Sequence, residues 1–214
     1  MAIDLVSYLA NLKVIDVWQG GNPSGIVTDR RLYEDKVRLN PPKGMVAHGT
    51  AAAASNGLNS LRYLAGGSIA DGRWVSADQY IPNNRTLYIF IPTDRYCWHA
   101  GYGHWNGLGN INVNFWGVEM ENKEDEVDPF SEEQYVTLAA TWCARAAWWK
   151  CLDINVCAHA WCAEDDGGPC VNKKGRKSDL YKFRWGKFWA YVYQIRQPGV
   201  WPASWNLPVW HGGD

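Results

Sequence analysis

The chain has 214 residues and a net charge of −1, from 21 basic and 22 acidic side chains. That length suits a single domain with a real core. The charge balance excludes a global polyanion-binding surface, so no nucleic acid partner is expected. Tryptophan stands out, with 14 residues against 5 Phe. Most are expected in the core and a minority along a groove, because indole rings also stack on sugars and anchor interfaces.

The opening "MAIDLVSYLANLKVIDVW" carries Asp4 early and has no basic segment leading into an apolar run, so it does not read as a secretory leader. No stretch approaches the roughly 18 apolar residues that a membrane span needs. The expectation is a protein made in a cytoplasm and not inserted in a membrane. Its six cysteines (97, 143, 151, 157, 162 and 170) are then reduced thiols, although Cys162 and Cys170 are free to pair in an oxidising exterior.

The first 40 residues are mixed, with a loop at "QGGNPSG" and a turn at "NPPKG". "MVAHGTAAAAS" reads as a buried strand giving way to a helix that runs to about Leu64. Two extended runs in "WVSADQYIPNNRTLYIFI" flank the turn signal "PNN", which predicts a hairpin. "NVNFWGVEM" reads as a further apolar strand.

"DPFSEEQYVTLAATWCARAAWW" is the clearest helix. Ser131 and Gln134 form a capping box, Glu132 and Glu133 suit the positive N-terminus, and Tyr135, Leu138 and Trp142 share a face. "INVCAH" is the next strand, "KFRWGKFWAYVYQI" a second helix ended by Pro198, and residues 198–214 an irregular Pro/Gly/Trp-rich tail. Strands alternating with helices predict an α/β fold with a mixed central sheet flanked by helices, in one domain over residues 1–214.

The segment 157–179, "CAHAWCAEDDGGPCVNKKGRKSD", poses a metal question. Cys157, His159, Cys162 and Cys170 are candidates for a local zinc knot, but they lack the paired knuckle spacing of structural zinc sites. Buried thiols are the plain alternative. The other arrangement is dispersed. His48 ends the strand "VAHGT", His159 ends "INVCAH", and Asp179 closes "GRKSD". Two imidazoles and one carboxylate leave a fourth tetrahedral position open, which is the composition of a catalytic zinc site.

The strings "VAHGTA", "CWHAG", "NFWGVEMEN" and "GRKSD", in this order, resemble the zinc-dependent N-acetylmuramoyl-L-alanine amidases of the amidase-2 and peptidoglycan-recognition-protein superfamily. Bacteriophage endolysins are the nearest kind. The resemblance runs from about residue 44 to about 195, and its motifs are individually short but jointly specific. It implies zinc held by His48, His159 and Asp179 in a cleft at the sheet's edge. It also implies Glu119 as a catalytic acid/base, Lys177 as an oxyanion stabiliser and His99 as a substrate contact.

Trp98 and Asn114 flank the same motifs and join His99 as candidate substrate-binding residues. Trp105 and Trp116 are further stacking candidates, with Trp116 equally suited to the core. Three departures stand out. Leu180 and Tyr181 follow Asp179 where relatives continue Pro-Gly, Asp78 in "SADQY" sits where a His is usual, and the stretch between His159 and Asp179 is long.

The expected function is therefore zinc-dependent hydrolysis of the amide between N-acetylmuramic acid and L-alanine. The expected partner is bacterial peptidoglycan, and the chain is expected to be monomeric. A phage endolysin held in the host cytoplasm before lysis is the leading form. A cytoplasmic amidase that recycles muropeptides, a non-catalytic peptidoglycan-binding module and an intracellular protein with a structural zinc clip are the alternatives.

Overall fold

Six strands form one sheet: β1 (Lys13–Asp16), β2 (Gly44–Gly49), β3 (Gln79–Ile81), β4 (Thr86–Ile89), β5 (Phe115–Met120) and β6 (Val156–Ala158). Their order is β1-β4-β3-β5-β2-β6. The computed structural model describes residues 3–20, 24–52, 57–123, 130–165, 168–169, 180 and 182–200. The pairs β3–β5, β5–β2 and β2–β6 are parallel, β3–β4 is the expected hairpin, and β1 runs parallel to β4. The mixed α/β architecture matches the expectation.

Around the sheet lie α1 (Leu5–Ala10), α2 (Gly57–Arg62), α3 (Ser68–Ala70), α4 (Ile111–Asn114), α5 (Glu132–Trp149), α6 (His159–Cys162) and α7 (Trp185–Ile195). A wide turn, Tyr63–Gly67, joins α2 to α3, and a two-stranded ribbon pairs β7 (Glu164–Asp165) with β8 (Gly168–Pro169). The first 40 residues hold more order than their mixed composition suggests. Asp4 caps α1 by accepting from the Ser7 amide at 3.2 Å, and Leu5, Tyr8 and Leu9 are buried.

The period-2 alternation of a strand sorts the two faces of the sheet. On β5, Trp116, Val118 and Met120 join Met45 and Ala47 of β2 in the core beneath α5 and α7. Trp116 is fully buried, stacked on Trp142 with centroids 5.6 Å apart and edge-on to Trp149 at 5.0 Å. Of its two expected roles it takes the core one. The intervening residues of the same strands, Phe115, Gly117 and Glu119 on β5 and Val46 and His48 on β2, belong to the opposite face, where Val46 and Phe115 pack with Cys157.

The capping box of α5 forms as expected. The Ser131 hydroxyl accepts from the Gln134 amide at 3.2 Å, and Gln134 Oε1 accepts from the Ser131 amide at 2.9 Å. Gln134 Nε2 also donates to the Glu121 carbonyl at 2.7 Å, which ties the helix start to the end of β5.

Two strand expectations shift. Ile111–Asn114 is a turn of helix and the strand starts only at Phe115, because Asn110 adopts a left-handed conformation (φ 51°) that redirects the chain. β6 ends at Ala158, so His159 is the first residue of α6 rather than the last of a strand. The C-terminal segment 201–214, including the Trp-rich part of the tail, lies outside the described residues.

Candidate active site

The carboxyl ends of β2, β5 and β6 meet at one edge of the opposite face, where ligands of parallel sheets commonly bind. His48 and Glu119 are register partners on neighbouring parallel strands, so the pleat turns both side chains to the same side. His159 follows directly after β6, the neighbour of β2 on its other flank. These residues and His99 line one cleft of about 620 Å³, with Thr50, Arg73 and Ser76 among its polar walls.

His48 Nδ1 lies 3.0 Å from His159 Nδ1, and His48 Nε2 lies 3.0 Å from His99 Nδ1. His159 Nε2 faces the Ala100 carbonyl at 3.1 Å, and His99 Nε2 faces the Phe115 carbonyl at 3.3 Å. A carbonyl only accepts, so His159 and His99 each carry their proton on Nε2. Burial, with His48 and Arg38 adding to it, holds His99 well below the usual imidazole range. His99 Nδ1 and His159 Nδ1 thus each face a ring nitrogen of His48 at 3.0 Å. The Nδ1 atoms of His48 and His159 converge, an arrangement suited to holding a cation between them.

The turn carrying His99 is fixed from below. Asn112 Oδ1 accepts from the amides of His99 and Ala100, both at 2.9 Å, and its Nδ2 donates to the Gly101 carbonyl at 2.9 Å. The helical turn that replaced the expected strand start is what aims Asn112 at this turn. Gly117 makes room for the imidazole, because a Cβ there would stand 2.5 Å from His99 Cγ.

Asp78 also braces this wall. Its Oδ1 accepts from the fully buried Arg38 at 2.6 Å and its Oδ2 from the Gly117 amide at 2.8 Å. Burial pushes this carboxyl up while Arg38 and Gly117 pull it down. Here the Asp for His departure carries its own compensating arginine.

Other expected residues lie elsewhere. Asn114 sits at the opposite end of β5 from Glu119, with its side chain donating to the Gly109 carbonyl at 2.7 Å. At about 3.3 Å per strand residue, five residues separate it from the site by roughly 16 Å, so the structure does not bring it to the cleft. Trp98 is 43% exposed and edge-on to Tyr96, and it is not among the residues that line the cleft. His99 itself spends both ring nitrogens on His48 and Phe115 rather than presenting one to a ligand.

Asp179 and Lys177 lie outside the described residues, as does Cys170. Among the described residues no group of three His, Cys, Asp or Glu side chains forms a complete metal cage. The local knot gains no support. Cys157 and Cys162 are buried, with their thiols directed at the Met45 and His159 carbonyls, while the His159 ring turns to His48. Burial and the neighbouring Cys162 hold the Cys157 thiol well above its usual range, so it stays protonated.

Comparison with known families decides what this edge belongs to. The N-acetylmuramoyl-L-alanine amidase model of the amidase-2 family matches residues 38–179, more than half of the chain. The chain belongs to this family. It is therefore an enzyme, an N-acetylmuramoyl-L-alanine amidase acting on peptidoglycan.

Solved structures share the amidase's fold. An AmpD derivative containing selenomethionine superposes with a TM-score of 0.56 at 22% identity, over 90% of this chain and 99% of that one. The endolysin of the Thermus scotoductus MAT2119 bacteriophage Ph2119 also reaches 0.56, at 12% identity over 84% and 99%. AmiD from E. coli, solved with an anhydro-N-acetylmuramic acid tripeptide substrate, reaches 0.51 at 24% identity, over 70% of this chain and 57% of that one. No curated protein sequence matches the chain. No helix among the described residues is long and apolar enough to cross a membrane.

The residues that sequence reasoning missed are Asn112, Arg38 and the Ala100 carbonyl. The cue for Asn112 was an asparagine just after the Gly-Asn turn, in a stretch whose apolar alternation read as strand.

Proposed function

We propose that this amidase cleaves the lactyl–L-alanine amide of peptidoglycan with one zinc ion, as a phage-type endolysin acting on the intact wall. The observation that carries the metal reading is the convergence of His48 Nδ1 and His159 Nδ1 at 3.0 Å, next to the partly exposed Glu119. His48 and His159 would hold the ion, with Asp179 as third ligand on the strength of the "GRKSD" motif. Zinc bound there would supply Lewis acidity and lower the pKa of a water to about 7.

The chain's own groups do the proton work. Glu119, beside His48 in the cleft, takes a proton from the attacking water and delivers it to the departing alanine nitrogen. Lys177, two residues before Asp179 in the sequence, sets a cation near the developing oxyanion. The Ala100 carbonyl orients the His159 ring so that its Nδ1 faces His48 Nδ1, and the Phe115 carbonyl orients the His99 ring so that its Nδ1 faces His48 Nε2.

A soluble anhydromuropeptide is the second reading, favoured by the substrate named in the AmiD complex. Release of new alanine amino termini from purified sacculi, set against the same release from soluble anhydromuropeptides, separates the two. Turbidity loss on sacculi is expected; activity confined to the soluble substrate overturns the lysin reading. Glu119→Gln should keep stoichiometric zinc while the rate falls about 10²- to 10⁴-fold. A Glu119→Gln enzyme with full activity removes that residue from the mechanism.

A further inference from the structure

The amidase cleft does not account for the abundance of tryptophan, and a second cavity gathers part of it. A groove of about 630 Å³ is lined by Trp105, Asn106, Asp153, Ile154, Val156 and Trp189. β6 is the last strand of the sheet. Trp189 packs with the core on one face and Trp105 with the cluster on the other, so the groove wraps the outer edge of β6. Ile154, in its lining, is 61% exposed.

The Trp105 wall is rigid before any ligand arrives. Trp105 and Leu108 exchange backbone hydrogen bonds at 2.9 Å around Asn106 and Gly107, whose φ angles of 49° and 76° make a tight hairpin turn. The His104 amide donates to the Cys162 carbonyl at 2.9 Å, which fastens this hairpin to the end of α6. Gly103 permits the approach, because a Cβ there would stand 2.2 Å from the same carbonyl. α6 begins with His159 of the cleft, and Trp161, two residues on, stacks on Trp105 with centroids 5.9 Å apart. Val156 and His159 are three residues apart, roughly 10 Å along an extended chain. Groove and cleft thus share β6 and α6, and one extended polymer can reach both.

The lining selects the occupant. A sugar ring packs its C–H face on an indole and needs hydrogen bonds for the polar groups around its rim. Trp105 and Trp189 supply the faces, while the Asn106 amide and the Asp153 carboxylate supply polar partners. An extended peptide would instead need free backbone groups along the strand edge. There the Ile154 carbonyl already accepts from Trp105 Nε1 at 2.8 Å, and β6 is only three residues long.

We propose that the groove between Trp105 and Trp189 is a second binding site, which holds the glycan strand of peptidoglycan by stacking N-acetylhexosamine rings on the two indoles. It rests on the family's action on peptidoglycan and not on the metal reading.

The test is calorimetry of the full chain with a soluble tetramer of N-acetylglucosamine, alongside amino-terminus release from sacculi and from a soluble anhydromuropeptide. Ile154→Glu puts a charge into the groove from an exposed position, and Trp189→Ala removes one indole. Each should weaken saccharide binding and slow release from sacculi by about 5- to 10-fold, with the rate on the soluble substrate unchanged. Trp189→Phe keeps an aromatic face and should recover most of the loss. If Trp189→Ala does not fold, Ile154→Glu decides alone.

A wild-type chain that binds no saccharide overturns the proposal. So does wild-type saccharide affinity in Ile154→Glu, which would place the sugar in the cleft, or an equal loss on both substrates. Binding of a sugar-free stem peptide that Ile154→Glu abolishes would assign the groove to peptide and overturn it too. Activity confined to the soluble substrate sinks the lysin reading alone, because saccharide binding is measured without turnover.

Discussion

The two faces of β5 are built from alternate residues of one six-residue strand, yet they obey different rules. Toward α5 and α7 the strand presents Trp116, Val118 and Met120, which interlock with Met45, Ala47 and Trp142 through area and shape. Toward the cleft it presents Phe115, Gly117 and Glu119. There a carbonyl accepts from His99, a missing side chain admits the His99 ring, and a carboxylate stands beside His48. The first face stores stability in many interchangeable contacts. The second depends on single atoms, so substitutions on the two should separate stability from chemistry.

The sharpest break is expected at His48. His48→Ala should abolish zinc binding and lower amide hydrolysis by about 10⁴-fold or more, because carbonyl polarisation and water ionisation vanish together. Chelator titration and amino-terminus release measure the two losses. Retained zinc in that variant would mean that the metal site lies elsewhere.

Next comes the opposite face. Trp116→Ala should cost about 3–5 kcal/mol in denaturant unfolding, since it opens a cavity against Trp142 and Trp149. The folded fraction should still bind zinc with wild-type affinity. Weakened zinc binding there would show that the faces are coupled after all.

Gly117→Ala probes the same strand one residue on. Its methyl must displace the His99 ring, so a loss of about 1–3 kcal/mol is expected, accompanied by weaker zinc binding. Val118→Ala, pointing the other way, should lose stability alone.

The smallest effect concerns Asp153, which joins α5 to α7 by accepting from Arg196 at 2.7 Å through each oxygen and from Trp142 Nε1 at 3.0 Å. Hydrogen bonds from Arg196 hold this carboxyl below its usual range. A depressed folded pKa contributes stability above the unfolded value of about 3.9, and that contribution is lost as pH falls through the folded value. Both side chains are more than 40% exposed, so Asp153→Asn should cost no more than about 1 kcal/mol at neutral pH. It should also flatten the pH dependence of stability below about pH 5, as urea midpoints would reveal.

Much of the frame was legible from residue order. The Ser131–Gln134 box, the "PNN" hairpin, the α7 pattern and the strand around Val46 all follow from local periodicity and turn chemistry, and all form. His48, Glu119 and His159 were readable as strand-end polar residues in motifs that resemble a known family, and the fold brings these three to one edge. Asn114 was misplaced for a physical reason. A left-handed Asn110 starts a helical turn at the head of β5, and that turn points Asn112, not Asn114, at the site. Asn110 lies in a run whose Val, Ile and Phe favour a strand, so propensity alone hides the break.

By itself the sequence determined the strand around Val46, the long helices α5 and α7, and the residue types able to hold a metal. These depend on neighbours within a few positions, where backbone geometry repeats. Only the tertiary structure decided which nitrogens face each other, and that Arg38 accompanies Asp78 across 40 residues. Such matches are set by strand order and by burial, which leave each polar atom a short choice of partners. Nothing in the spacing of His48, His99 and His159 announces that choice.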